Sequence, residues 1–308
     1  MIDRALSHGI RVGAWTFDEG YGRDLAFLEG LHQRRQVFVG EVPANFHGWV
    51  IKPRVLRSGS ARWRGRKNRK KYPRLARGRG SSEVQHLVRY SPVFRQKTWQ
   101  RYRIKDTEKG PEVWEMKWAV FWWKGSEGLP GRRHCLIVVR NVLTGEVKYF
   151  LCNRVPGEGG ITLRWLLRVA FGRWSVESCF RQAKEELGLD HYQVRGWRSL
   201  HRHFYLTQLS HLFSARLRQK FDTVRPGGDP LEHLTTEQVR RAMNVWLEAA
   251  AGQLTKKARY ERELAKQDYY QRRNAQARRS HTKTRVVRLK SLGINVDRIK
   301  SCIPPSPT

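Results

Sequence analysis

The chain has 308 residues, 61 of them Lys or Arg against 27 Asp or Glu, for a formal net charge of +34. Solubility alone does not require such an excess, so the composition predicts a polyanionic partner, DNA or RNA, whose counterions leave on binding. With 39% hydrophobic residues and twelve Trp the chain can bury a core, which excludes a disordered basic tail and weighs against a ribosome-like or chromatin-like protein.

Cys135, Cys152, Cys179 and Cys302 lie far apart with no CxxC pair. That spacing indicates neither a zinc ribbon nor a secreted disulfide framework, and it fits a reducing cytoplasm. No apolar run reaches the ~18 residues of a membrane span, and "MIDRALSHGIRV" lacks the apolar region of a signal peptide, so no membrane partner is expected.

Residues 1 to 10 read as a short helical piece. The aromatic run "RVGAWTFDEGYGRD" then predicts a strand that delivers Asp18 at its carboxyl end, before the glycine-bearing turn "EGYG". Leu25, Leu28 and Leu31 follow at helical spacing, and "QVFVGEVP" returns as a second strand stopped by Pro43. A strand, helix, strand order favours a parallel pair with a crossover. From Arg57 to Gly80 the chain carries eleven Lys or Arg and no acid, which predicts a mobile basic arm. "WEMKWAVFWWKG", "RRHCLIVVRNVLTG" and "EVKYFLCNRV" then read as an antiparallel β-rich insertion, the last two joined at "LTGE".

After "PGEGG", residues 161 to 187 are predicted helical with Gly188 as the stop, and "LHRHFYLTQLSHLFSARLRQKF" is a second, more apolar helix. "RPGGDP" reads as a linker. "TTEQVRRAMNVWLEAAAG" is a further helix, capped by Thr235 or Thr236. From Lys256 onward the sequence has too little apolar periodicity for a core and is expected to lie on nucleic acid or stay loose.

In the helix around residue 177, Val176, Cys179, Phe180, Ala183 and Leu187 form an apolar stripe, bordered by Arg173, Glu177, Arg181 and Lys184. Spacing alone permits i,i+4 ion pairs on a solvated helix. The wording of the segment adds more: Arg173, three residues, Glu177, six residues and Lys184 form an R-x3-E-x6-K pattern. The run "RWSVESCFRQAKEELGLDHYQVRGWRSLHRH" resembles bacterial insertion-sequence transposases of the seven-hundred-and-one family, within the DDE superfamily. Residues 1 to about 55 resemble the same family around its second catalytic aspartate, with the D-E-x-Y-G wording at Asp18.

The resemblance implies an α/β fold: a partial ribonuclease H-like core, strand-helix-strand plus C-terminal helices, interrupted by a β-rich insertion and followed by a basic helical tail. Its parts would be residues 1–56 with the second aspartate, the basic arm at 57–80, the insertion at 81–156, the helical part with the glutamate at 157–222, and a helix with basic tail at 223–308. Asp18 and Glu177 would be catalytic and metal-binding. Hard Mg²⁺ ions, with Mn²⁺ as substitute, favour carboxylate oxygens, and two of them about 3.5–4 Å apart serve in-line displacement at phosphorus. DNA contacts would come from Arg173, Arg181 and Lys184 and from Arg64, Arg66, Lys67, Arg69, Lys70 and Lys71 of the arm. The partners implied are double-stranded DNA at transposon ends and target, and further copies in a homodimer or synaptic multimer, in a bacterial, nucleoid-associated setting.

The sequence departs from the family in two places. Ala170 stands where the signature has tyrosine, and upstream of Asp18 there is only Asp3, in a helical segment, where the family's first aspartate belongs on a strand. The expectation is a chain resembling the carboxyl-terminal part of a transposase, with Met1 inside the fold and two-metal catalysis incomplete. A non-enzymatic DNA-binding remnant, or an inhibitor of a complete enzyme, is the alternative; a general RNA-binding protein leaves the paired acidic segments unexplained.

Other groupings are weaker. His201 and His203, near His191 and His211, point apart on a helix and read as packing or phosphate contacts. Trp114, Trp118, Trp122 and Trp123 read as sheet core, Trp63 as a base-stacking candidate, and "GEGG" as a hinge, since it lacks the GK[ST] of a phosphate loop.

Overall fold

The computed structural model describes residues 1–57, 73–76, 80–224, 235–250 and 257–303. The chain divides into two compact units, Met1–Arg173 with Thr284–Thr308, and Trp174–Lys283.

The first unit is a mixed sheet covered on both faces. After helix α1 (Ile2–Ser7) come β1 (Trp15–Phe17), α2 (Glu19–Gly22), α3 (Leu25–Gln33) and β2 (Phe38–Val42). β1 and β2 are parallel, with Trp15 opposite Phe38 and Phe17 opposite Gly40, as the strand, helix, strand order predicts. β3 (His47–Trp49), β4 (Val55–Leu56), β5 (Arg74–Leu75), β6 (Ser82–Glu83), α4 (Val84–Tyr90) and α5 (Pro92–Arg95) lead to the long strands β7 (Gln100–Thr107), β8 (Gly110–Lys124), β9 (Pro130–Asn141) and β10 (Val147–Cys152). The main path runs β1-β2-β10-β9-β8-β3-β6, with β7 also paired to β8.

Alternation along these strands sends side chains to opposite faces. Trp114, Met116, Cys135, Ile137, Val139, Phe150 and Cys152 pack on one side with Leu166, Leu167 and Ala170 of α6 (Leu163–Gly172). Ala119, Phe121, Trp123, Leu136, Val138 and Leu151 pack on the other with Leu28 and Leu31 of α3, Val84 of α4 and Phe94 of α5. Trp114 and Trp123 are buried and Trp118 packs at the margin, consistent with the sheet-core reading of these three, whereas Trp122, opposite Trp49 and Arg133, is only partly buried and joins none of the core clusters.

The second unit holds α7 (Trp174–Leu187), α8 (Trp197–Val224), α9 (Thr236–Ala250) and most of α10 (Lys257–Ser291). Gly188 (φ 68°) ends α7 as expected, with the Leu189 amide donating to the Ala183 carbonyl. α9 starts in a reciprocal box: the Gln238 amide donates to Thr235 Oγ1 at 3.2 Å, and the Thr235 amide donates to Gln238 Oε1 at 2.7 Å.

Four expectations are corrected. The basic arm is tied at its base, because Val55 pairs with Leu75 and Leu56 with Arg74. Residues 161 to 187 form two helices, with Thr162 capping α6 through Trp165 N at 3.1 Å and a break at Arg173. Along α7 only Ala183 is buried, while Val176 and Phe180 stay about half exposed, so the apolar stripe is only partly covered. The C-terminal residues, expected outside a core, build one: Leu289, Ile294 and Val296 cluster with Val113, and β11 (Lys300–Ser301) adds to β7.

Candidate functional site

Asp18 follows β1 directly and is the N-cap of α2. Its Oδ1 accepts from the Gly20 amide at 3.1 Å and the Tyr21 amide at 3.3 Å, satisfying two donors that the first turn leaves open. The side chain is exposed at the carboxyl end of the strand. Two glycines fix this corner. A Cβ on Gly22 would fall 1.9 Å from the Glu41 carbonyl oxygen, and one on Gly40 would fall 1.8 Å from the Phe17 ring. The second glycine of "DEGYG" is therefore required by the approach of α2 to the backbone of β2. Phe17, directly before Asp18, is wedged edge-on against Phe27 at 5.1 Å. Behind it, Thr16 Oγ1 is buried without a hydrogen-bond partner among the described residues.

Asp3, the other acid upstream of Asp18, lies on α1 and is held by Arg34, whose NH2 donates to Oδ2 at 2.7 Å. The Arg34 hydrogen bond holds the Asp3 carboxyl below the usual carboxylate range. Ala170, where the resembled signature has tyrosine, is buried in the layer between α6 and the sheet, and the neighbouring Phe171 ring packs 5.0 Å from Trp114.

In the second unit, Glu177, Arg181 and Lys184 are all exposed on α7. The helix is held from its other side: Arg240 Nε donates to Glu186 Oε2 at 3.0 Å, Thr236 Oγ1 donates to Gln182 Oε1 at 3.3 Å, and Cys179 Sγ lies 3.6 Å from His211 Nδ1. His203 Nε2 sits 2.9 Å from the Gly188 carbonyl, at the carboxyl end of α7. Arg173 belongs to the first unit, as does Asp18. Arg64, Arg66, Lys67, Arg69, Lys70, Lys71 and Trp63 lie outside the described residues. Among the described residues no group of three or more His, Cys, Asp or Glu stands together as a metal-binding cluster. The exposed carboxylates Asp18 and Glu177 have the hard oxygen donors that suit Mg²⁺.

A second polar feature escaped the sequence reading. Arg101 of β7, Glu115 of β8 and Arg140 of β9 stand opposite one another in one row. Arg101 Nε donates to Glu115 Oε1 at 3.1 Å, and Arg140 NH2 donates to Oε2 at 2.6 Å. Burial disfavours the ionised Glu115, but the Arg140 and Arg101 hydrogen bonds outweigh it and hold its pKa below the ordinary value. One row along, burial and then the Arg140 charge lower the Lys117 pKa. The signal available was alternation: "QRYRIKDT" places Tyr102 and Ile104 inward between charged residues.

Residues 1–111, about a third of the chain, match the family model described as DDE superfamily endonuclease. The matched stretch includes Asp18 and ends before Glu177. No curated protein matches the sequence. The mixed α/β architecture, a large sheet flanked by helices, is consistent with a ribonuclease H-like nuclease core. Similarity to that superfamily supports a nuclease or transposase type of function and implies a DNA substrate. Among the described residues no helix is long and apolar enough to cross a membrane.

Proposed function

We propose that the chain is a DDE-type transposase polypeptide that acts on insertion-sequence DNA, with Asp18 and Glu177 as metal-binding carboxylates. The observation that carries this reading is Asp18 at the carboxyl end of β1, in a parallel pair with β2, inside the segment that matches the DDE superfamily endonuclease model.

The chemistry follows from the residue types. The Gly20 and Tyr21 amides engage Oδ1 of Asp18 and orient the carboxylate, leaving Oδ2 to a ligand. Glu177 offers a second pair of hard oxygens on an exposed helix face. Bound Mg²⁺ or Mn²⁺ would supply activation of the attacking oxygen and charge stabilisation at the leaving oxygen. Arg173, Arg181 and Lys184 hold phosphate oxygens, Arg through its two-pronged fork and Lys as a point charge. The arm residues Arg64, Arg66, Lys67, Arg69, Lys70 and Lys71 add affinity that does not depend on sequence.

The test is nicking and strand transfer on supercoiled and linear DNA with Mg²⁺, Mn²⁺ or chelator, using wild type, Asp18→Asn and Glu177→Gln. Asp18 and Glu177 are two of the three carboxylates that the resemblance implies, so the expected result is duplex binding retained in all three proteins and any cation-dependent cleavage lost in both variants. Cleavage that survives both substitutions would overturn the assignment. Tight binding without cleavage by the wild type would instead favour a non-enzymatic DNA-binding role.

A further inference from the structure

The row Arg101, Glu115, Arg140 and its neighbours Lys117 and Trp99 carry more positive charge than a structural ion pair needs. Glu115 is buried and offers one negative charge, which a single arginine would balance. Two arginines engage it, and both remain substantially exposed, with 41% of the Arg101 and 44% of the Arg140 side chain accessible. Lys117 adds a third cation on the same face, its Nζ donating to the Phe94 carbonyl at 2.9 Å. Trp99 holds two of the three: its ring centroid lies 4.9 Å from Lys117 Nζ and 4.7 Å from Arg140 Cζ.

Like charges fixed this close repel one another unless an anion joins them. Each arginine uses one nitrogen on Glu115, so most of each guanidinium fork remains for another acceptor. Anchoring by the carboxylate and the indole also restricts these long side chains beforehand, which reduces the ordering cost of binding a ligand. The rows at Glu115 and Lys117 are about 6.8 Å apart along β8, so the cations are spread over a surface and not gathered round one small ion. The patch is bounded by Phe94 and Ala119 on one side and by Val113 of the C-terminal cluster on the other.

We propose that this face of the sheet is a binding platform for the phosphodiester backbone of DNA, with Arg101, Lys117 and Arg140 as the phosphate-binding groups and Glu115 and Trp99 as the residues that position them. The inference rests on the reading of the chain as a DNA-acting protein and adds binding residues other than those assigned to it above. The platform grips the backbone and carries no base specificity.

The test is the salt dependence of duplex binding by the full chain, followed by fluorescence anisotropy for wild type, Lys117→Gln, Arg101→Gln, Arg140→Gln and the control Lys148→Gln. Lys148 lies on the opposite face, paired with Glu41 at 3.1 Å. Lys117→Gln orphans no carboxylate, so it keeps the test valid even where an arginine variant unfolds. Each platform variant is expected to weaken binding to every duplex sequence and to reduce the slope of log K against log salt by about 0.9 for each phosphate that is no longer neutralised. The control should match wild type. Wild-type binding with unchanged slopes in folded Lys117→Gln and Arg140→Gln would overturn the platform alone, as would a weakening seen only with RNA. A wild type that binds no duplex would overturn both this inference and the function on which it rests.

Discussion

The Nε2 atoms of His32 and His134 lie 2.8 Å apart, and Nδ1 of His134 lies 2.8 Å from the Arg132 carbonyl. These two distances fix both tautomers. Nδ1–H of His134 donates to the carbonyl, its Nε2 accepts, and Nε2–H of His32 donates across α3 to β9. His134 is fully buried with its ring 4.2 Å from Trp123. Burial pushes its pKa down from 6.5 to about 3, and burial followed by the Arg132 charge lowers that of His32. The folded state therefore refuses protons that the unfolded chain accepts. Stability from the pair is complete above about pH 6.5 and declines as pH falls from there towards 3, by up to about 1.4 kcal/mol per pH unit for each proton excluded. Urea midpoints between pH 8 and 4 should show this decline, and His134→Phe should flatten it. Parallel curves for the two proteins would show that the pair does not set the acid limit.

Thiol chemistry should separate one cysteine from three. Cys135 and Cys152 face each other across β9 and β10 and are fully buried, and burial raises both thiols far above their ordinary range. Cys302 is buried too and is raised to about 11. A thiolate is the reactive form, so these three are protected both by access and by protonation. Cys179 is only partly covered. The native protein should react quickly with one equivalent of a thiol reagent, and Cys179→Ser should remove that phase. More than one fast equivalent in the wild type would contradict this packing.

The corner at Asp18 was legible because its signals are local: an aromatic strand, an acid before a glycine-bearing turn, and leucines at helical spacing. The motif glycine at Gly22 was visible as a letter, but its reason was not, since the Glu41 carbonyl it must clear is 19 positions away. β7 is hard to read because its remaining positions are polar or charged, which masks an alternation carried by Tyr102 and Ile104 alone. The cation row needed the register of three strands, which no single segment reveals. The half-exposed Val176 and Phe180 show the reverse error, in which periodicity gives an apolar face but not what covers it.

The C-terminal segment should be required for a stable sheet. Leu289 is fully buried against Val113, Val142 and Leu143, Arg285 NH1 donates to the Gly110 carbonyl at 3.1 Å, and Arg168 Nε donates to the Cys302 carbonyl at 2.6 Å. β11 occupies an edge of β7 that would otherwise offer unpaired amides and carbonyls. Leu289→Ala should cost about 2–5 kcal/mol in chemical denaturation. A chain ending before residue 284 should aggregate and lose amide-exchange protection in β7. Unchanged protection there would show that the added strand is dispensable.

Gly22 gives the sharpest test of how the fold presents Asp18. The Cβ of an alanine would meet a backbone carbonyl, which cannot rotate away as a side-chain end can, so α2 has to shift from β2. Overpacking of this kind typically costs about 1–3 kcal/mol. Because the Asp18 carboxylate is oriented by two amides of α2, the shift also disturbs the carboxylate. Gly13→Ala is the matched control, since a Cβ there meets nothing within 4 Å. Gly22→Ala should lower the unfolding midpoint and reduce any cation-dependent DNA cleavage, with duplex affinity unchanged because none of the cations proposed to bind DNA lies on α2 or β2. If Gly22→Ala instead matches Gly13→Ala in both stability and cleavage, then the glycine is not what holds the corner, and the geometry of Asp18 must be set by Phe17 and its ring contacts.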